Sequence, residues 1–434
     1  MAEWMVLWLP AAISVAGAVS GFAIRSRPTA LKIWVLLVSL ASLSALAALA
    51  GHPMRPALQW PLAALLPIAA FLSLLGQPPH EDNRAAWIMT LLLLGVGLGA
   101  MVGHGGMGLT LLALLLILLV ALLYRYRALS VSHLWQGIGM YGVGVICLAT
   151  ALATVPPVSA VAVLAVCAML LPLAPLHAGY VAALAGLPGN LPAFLSLLLP
   201  VLGFHGLLAV LPHLPDTVRD VLPVLGLAGA SYGALKALAQ SRVRALLAYA
   251  NLSFFSILWW HVAVVQAASP QTTLYLSAVG LATNGLLLAW YAIRARYGDM
   301  DLRAIRGLAH VMPRFAVLFM LLALAAMGLP PFGVFAGFMG LLLAPALPLS
   351  GGLFVVVVAW LAASWYLLDL LQRLLFGRHR TDLRYEDLHR TEFAALLALV
   401  LILLVMGVAP TRVFESGGHA LPAQVATGDI LWNR

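Results

Sequence analysis

The chain has 434 residues, of which 63% are hydrophobic and 9% charged, whereas about a quarter of the residues of soluble globular proteins are charged. A mean hydropathy of +1.04 is typical of an integral membrane protein. Because a spanning helix needs about 20 apolar residues, this length accommodates up to about fifteen spans and excludes a soluble catalytic domain. We therefore predict no catalytic site, no metal site and no bound cofactor in this chain. The net charge of +9 indicates basic cytoplasmic loops, not nucleic-acid binding.

Fifteen apolar runs follow one another along the chain. We predict helices because the runs are long and lack the two-residue alternation of barrel strands. The runs lie near residues 4–24, 31–51, 57–76, 86–102, 107–124, 134–154, 157–173, 190–211, 221–240, 245–267, 272–293, 313–328, 333–349, 352–376 and 391–411.

The basic loops predict how the runs cross the membrane. Loops at residues 25–32 (including Lys32), 84, 125–127 and 294–314 all follow odd-numbered runs, which places them in the cytoplasm and the N-terminus outside. The basic loop at 378–390 breaks this parity, and the short run 333–349 is the best candidate for an incomplete crossing. We predict a multi-pass protein of the inner (cytoplasmic) membrane with about fourteen spans and both termini outside.

Proline and glycine interrupt two apolar stretches. Pro172 and Pro175 precede His177 in the first, and Pro330, Pro331 and Gly333 follow one another closely in the second. Paired interruptions predict two discontinuous helices, which often mark the ion or substrate path of transporters built from inverted repeats. The alternative is that proline and glycine are simply common in membrane helices.

Several motifs in the second half resemble one family. Residues 237–253 read ALAQSRVRALLAYANLS, which is similar to A-L-x-Q-x-x-x-K-R-L-L-A-Y-S-S-x-S. Pro175-Leu176-His177 resembles P-F-H, and further matches lie at 191–196, 301–313 and 328–337. These patterns are typical of the antiporter-like membrane subunits of respiratory complex I, Mrp-type cation/proton antiporters, membrane-bound hydrogenases and DAB-type inorganic-carbon uptake systems.

The resemblance implies an all-α inverted-repeat bundle with two discontinuous helices. Its motifs keep their order and spacing from about residue 157 to 411. We therefore predict peripheral transmembrane helices over residues 1–130, an antiporter-like core over 131–411 and a C-terminal tail over 412–434.

The family's proton route depends on a glutamate in an early core helix and on three buried lysines. Here the matching lysine positions are Leu170, Pro200 and Phe338, and no acidic residue occurs between Asp82 and Asp216. Arg244 keeps the basic character of its position, but an arginine pKa above about 12 prevents it from relaying protons.

The ionisable groups that remain are Lys236, His177, His205 and Asp369. Lys236 is one of only two lysines in the sequence. Two roles are open for it: it replaces a lost family lysine, or its side chain reaches the membrane interface beside nearby arginines. His177 and His205 lie in or beside the first break, where a relay role and a packing role are both open. Asp369 precedes Arg373 by four residues, which favours a local ion pair over a proton-carrying carboxylate.

Together these features predict an antiporter-like subunit of a multisubunit, ion-coupled complex in the lipid bilayer. Its proton path is either rerouted through Lys236, His177, His205 and Asp369 or lost, in which case its role is scaffolding. An obligate partner subunit then carries redox chemistry or, in a DAB-type system, hydrates CO2. A free-standing secondary transporter and a purely structural scaffold are the alternatives.

Overall fold

The computed structural model describes residues 6–49, 59–77, 84–126, 133–298, 306–344, 351–377 and 386–410. These residues form helices and no strand, which confirms the all-α fold class. The predicted tail at 412–434, the motif residues 301–305 and most of the basic loop at 378–390 lie outside them. The helices are α1 (Leu9–Ile24), α2 (Pro28–Ala48), α3 (Trp60–Leu75), α4 (Arg84–Val102), α5 (Gly106–Arg125), α6 (His133–Ala153), α7 (Val158–Leu170), α8 (Ala178–Gly186), α9 (Leu191–Val210), α10 (Asp216–Leu238), α11 (Val243–Val265), α12 (Pro270–Tyr297), α13 (Pro313–Ala326), α14 (Gly333–Leu342), α15 (Gly351–Leu375) and α16 (Arg390–Val408).

Helix length and composition identify a multi-pass membrane protein. Ten of the described helices are long and apolar enough to cross a bilayer alone. Five further apolar helices of 10–17 residues are α1, α3, α7, α13 and α14. The total of fourteen crossings stays a prediction, because it depends on counting each broken helix once.

The first discontinuous helix consists of α7 and α8. Helix α7 ends at Leu170 because Pro172 and Pro175 lack amide donors and disfavour helical geometry in the residues before them. Helix α8 begins directly after His177. Both halves pack along α6 and α9, so they follow one path through the bundle. The predicted break is therefore present.

The second discontinuous helix consists of α13 and α14. The chain leaves helical geometry after Ala326, where Gly328 has a φ of +72°, and Gly333 begins α14 beyond Pro330 and Pro331. Both halves pack along α12 and α16. With ten residues, α14 rises about 15 Å, or half of the hydrocarbon thickness. The incomplete crossing of run 333–349 stays a prediction, because residues 345–349 lie outside the described residues.

Two hydrogen bonds each join a pair of segments that were predicted to be cytoplasmic. The Arg84 guanidinium donates to the Arg25 carbonyl oxygen at 3.2 Å, and the Gly307 amide donates to the Phe376 carbonyl oxygen at 3.3 Å.

The position of Lys32 differs from the one assigned from the sequence. Lys32 is not a loop residue but the fifth residue of α2, because Pro28 starts that helix early. Its side chain is buried.

Helices α10 and α11 approach each other through glycines. Gly226, Gly229 and Gly233 face Trp260, Ser256 and Ser253 of α11, respectively. Lipid tails are as apolar as leucine, so membrane helices associate largely through such close packing of small residues.

We expect Gly233→Ala to lower the free energy of unfolding by about 1–3 kcal/mol. A Cβ at this position would lie 2.6 Å from the Ser253 amide nitrogen, and backbone cannot move aside as a side chain can. The measurement is SDS-induced unfolding in mixed micelles. Gly142→Ala on α6 is the matched control, because its Cβ would meet nothing within 4 Å. Equal losses in both variants would contradict the assigned packing.

Candidate functional site: the helix breaks and the central polar chain

Side chains of α11 hold the first broken helix in place. The indole Nε1 of Trp259 donates to the Leu171 carbonyl oxygen at 3.0 Å, inside the break. Arg244 donates from Nε to the Leu184 carbonyl oxygen at 2.8 Å and from its Nη2 to that of Leu187. These bonds satisfy carbonyl groups that the end of α8 would otherwise leave without partners. Arg244 therefore acts as a C-terminal cap of α8.

A chain of neutral polar groups crosses the middle of the bundle. The Asn251 amide donates to the Tyr180 hydroxyl at 2.7 Å and accepts from the Thr283 hydroxyl at 2.6 Å. The Tyr180 hydroxyl in turn reaches the Ser196 carbonyl oxygen at 3.4 Å. All four residues are buried, and they join α8, α9, α11 and α12. Hydroxyl and amide groups connect membrane helices routinely, but none of them carries a charge near neutral pH.

A second polar contact attaches the N-terminal helices to the core. The Asn190 amide donates to the hydroxyl oxygens of Thr90 at 2.8 Å and Ser73 at 3.4 Å. Asn190 precedes α9, whereas Ser73 and Thr90 belong to α3 and α4. Helices α3 and α4 are thus joined to the core by buried hydrogen bonds. The division into peripheral helices and core at residue 130 stays a prediction.

The three lost lysine positions are buried in apolar surroundings. Leu170 and Pro200 lie inside the bundle. The Phe338 ring stacks on Trp360, with ring centroids 3.6 Å apart and an interplanar angle of 11°. The Tyr275 ring lies 6.4 Å from Phe338, and Phe254 lies 5.7 Å from Trp360. An aromatic cluster therefore fills the space where the resemblance implied a lysine.

The structure brings together only two of the four candidate relay groups. His177 contacts the ring of Tyr232 at 5.4 Å, and the Lys236 ammonium lies 5.8 Å from the same ring. His205 lies apart, beside a cavity of about 30 Å³ that has room for about one water molecule. Asp369 pairs with the Arg373 Nε at 2.7 Å, and both side chains are exposed. These four groups thus form no continuous path.

Sequence reasoning missed the most buried charges of the described residues. Glu392 is 1% exposed and accepts two hydrogen bonds from Arg296, at 3.0 and 2.7 Å. Lys32 donates to the carbonyl oxygens of Leu75, at 3.4 Å, and Gln77. Lys32 thus places its positive charge at the C-terminal end of α3, where the helix dipole stabilises it. The sequence signal that could have located Glu392 is its position three residues after His389, the spacing of a capping box.

Among the residues that the structure describes, no three His, Cys, Asp or Glu side chains gather as metal ligands would. Cys147 and Cys167 are free thiols.

Comparison with known proteins decides the family. Residues 105–364, more than half of the chain, match the family model described as NADH:quinone oxidoreductase/Mrp antiporter, transmembrane. This chain belongs to that family.

The alignments with curated relatives cover only part of this chain and of each relative. The chain is 34% identical over 206 residues to NADH-quinone oxidoreductase subunit 13 of Thermus thermophilus. It is 27% identical over 209 residues to NADH-quinone oxidoreductase subunit M of Pseudomonas aeruginosa. Each alignment covers 47% of this chain, and 43% and 41% of the two relatives. The chain thus aligns with less than half of the length of these relatives.

Solved structures share the fold over nearly the whole chain. A chain of respiratory complex I from Thermus thermophilus with bound NADH superimposes with a TM-score of 0.81 at 22% identity, covering 95% of this chain and 97% of that one. A chain of the Mrp complex from Dietzia sp. DQ12-45-1b gives 0.79 at 16% identity, with coverages of 100% and 98%. At these identities the likeness concerns the fold alone, and it confirms the antiporter-like architecture.

We expect Glu392→Gln to lower the free energy of unfolding by about 3 kcal/mol, because Arg296 would keep a buried charge with half of its partner lost. Asp369→Asn is the matched control, since it also breaks an arginine pair, but an exposed one worth about 0–1 kcal/mol. SDS titration of both purified variants measures the difference. A loss in Asp369→Asn as large as in Glu392→Gln would contradict the assigned burial.

Proposed function

We propose that this chain is an antiporter-like subunit of a multisubunit, ion-coupled complex of the inner membrane, and that the family's central proton route is closed in it. The observation that carries the proposal is the Phe338–Trp360 stack, together with buried Leu170 and Pro200. A stacked aromatic pair holds neither a proton nor a chain of water molecules. The central polar chain keeps the helices in register without charged groups.

The partner supplies the reaction in this proposal. Family relatives are named as subunits of NADH-quinone oxidoreductases, and the matching folds come from respiratory complex I and an Mrp complex. By this likeness the chain acts as a membrane scaffold and coupling element. The partner's chemistry is redox or, in a DAB-type system, CO2 hydration, and the chain itself binds no cofactor.

Two features disfavour the alternative of a free-standing transporter. The two best-defined cavities within the described residues, of about 30 and about 10 Å³, have room for about one water molecule each and are too small for a solute. The most buried acid, Glu392, is already neutralised by Arg296.

We expect proteoliposomes of the purified chain to show no proton flux above protein-free vesicles under a potassium diffusion potential, followed with an internal pH-sensitive dye. Lys236→Met and Asp369→Asn should leave this background unchanged, because neither group joins a continuous path. A flux that disappears in Lys236→Met would instead support a rerouted path through His177 and Lys236. The uncoupler added at the end of each trace calibrates the full response.

We expect the tagged chain, extracted from its native membrane in a mild detergent, to elute as an assembly well above its own 45.9 kDa. Mass spectrometry of the co-purifying chains then distinguishes a redox partner from a CO2-hydrating one. Elution of the chain alone from freshly solubilised membranes would contradict the proposed function.

A further inference from the structure

The first helix break reaches the outer surface of the chain. Pro175 is exposed, and Leu176, His177 and Ala178 are partly so. Helix α8 has nine residues and rises about 14 Å, which puts the break near the middle of a hydrocarbon core about 30 Å thick. Irregular backbone at this depth is tolerated where protein or a water-filled cavity covers it, but not against lipid. This side of the bundle therefore requires a cover.

Polar side chains surround the exposed break. His177 contacts the rings of Tyr232 and Tyr249, with ring centroids 5.4 and 6.0 Å away. Tyr232 is 37% exposed, and the ammonium of exposed Lys236 lies 5.8 Å from its ring. We call His177, Tyr232, Tyr249 and Lys236 the histidine–tyrosine patch. It extends from the middle of the membrane to the cytoplasmic end of α10.

The patch carries positive charge without an acid of its own. Helices α8 and α11 contain no Asp or Glu. The acids of α10, Asp216 and Asp220, precede Lys236 by 16 residues or more, or about 24 Å along the helix. Asp369, on the neighbouring α15, is already paired with Arg373.

We propose that the histidine–tyrosine patch docks a transmembrane helix of a partner subunit, and that this helix brings an Asp or Glu to a depth between His177 and Lys236, which lies in the last turn of α10. The inference rests on the proposed function and adds the chemistry of the contact. A carboxylate is the group that complements a lysine beside an imidazole, and inside a bilayer such charges are paired. The partner helix covers the exposed break and supplies the acid that is missing from the described residues around the patch.

Anionic lipid headgroups are the competing occupant. They would accommodate Lys236, which reaches the interface through its four methylene groups. They would not cover Pro175 and His177, because these residues lie near the middle of the membrane, far from any headgroup.

The test places the photocrosslinker p-benzoylphenylalanine at position 232 of the full chain in native membranes. A second probe replaces Leu235, which is 68% exposed on the same helix, in case the first substitution perturbs folding. After irradiation, mass spectrometry identifies the captured segment. We expect one partner subunit, captured on a membrane-spanning helix that contains Asp or Glu.

Charge reversal then tests the pairing. In Lys236→Glu we expect the crosslink to fall at least about tenfold, because two carboxylates would face each other. Arg125→Glu is the matched control, since it reverses a charge at the same end of the bundle, in the last turn of α5. Replacing the captured carboxylate of the partner with lysine should restore the crosslink in the Lys236→Glu background.

Three results would overturn the inference: capture of lipid alone, capture of a second copy of this chain, or capture of a partner helix without an acidic residue. An equal loss in Lys236→Glu and Arg125→Glu would also overturn it. If the native complex co-purifies but the probes find only lipid, the proposed function stands and this inference fails. If nothing co-purifies, the proposed function fails first.

Discussion

Hydrocarbon offers no water to a broken helix, so each carbonyl group released at a break must find a partner within protein. In this chain α11 meets part of that requirement for the first break, because Trp259 donates to the Leu171 carbonyl oxygen. Arg244 caps the opposite end of α8, at the Leu184 carbonyl oxygen. Close approach of α10 through Gly226 and Gly233 keeps its neighbour α11 in position. Helix α11 therefore both stabilises the first break and packs closely against α10.

The same medium explains where charge is found. Moving a lone charge to the middle of a bilayer is costly, and a proton-conducting subunit accepts this cost for its function. Here the mid-bundle contacts are neutral, through Tyr180, Asn251 and Thr283, and the buried charges lie at helix ends. Lys32 sits at the end of α3, and Arg296 and Glu392 satisfy each other. The described mid-bundle contacts thus hold these helices together without charged groups.

Exposed backbone at the two helix breaks supports the proposed assembly with partner subunits. The second break also reaches the surface at Leu329, Pro330 and Pro331. Discontinuous helices inside a free-standing bundle would be enclosed by their own chain, whereas both breaks here present irregular backbone to the surroundings. A subunit in contact with neighbours resolves this conflict, because their side chains replace the water that lipid cannot provide.

The sequence by itself determined the membrane-spanning class, the two breaks and the apolar side chains at the positions that the resemblance matched to lysines, because hydropathy, proline and side-chain identity are local properties. Pro172 and Pro175 disfavour helical geometry in the residues before them whatever surrounds them, and Leu170, Pro200 and Phe338 cannot ionise in any fold. Tertiary structure alone decided which polar groups meet. Lys32 was predicted to lie in a basic loop and Glu392 carried no prediction, and only packing buried both side chains. Arg244 appeared to be a relay remnant until the end of α8 came within its reach, because such contacts join residues about 60 positions apart.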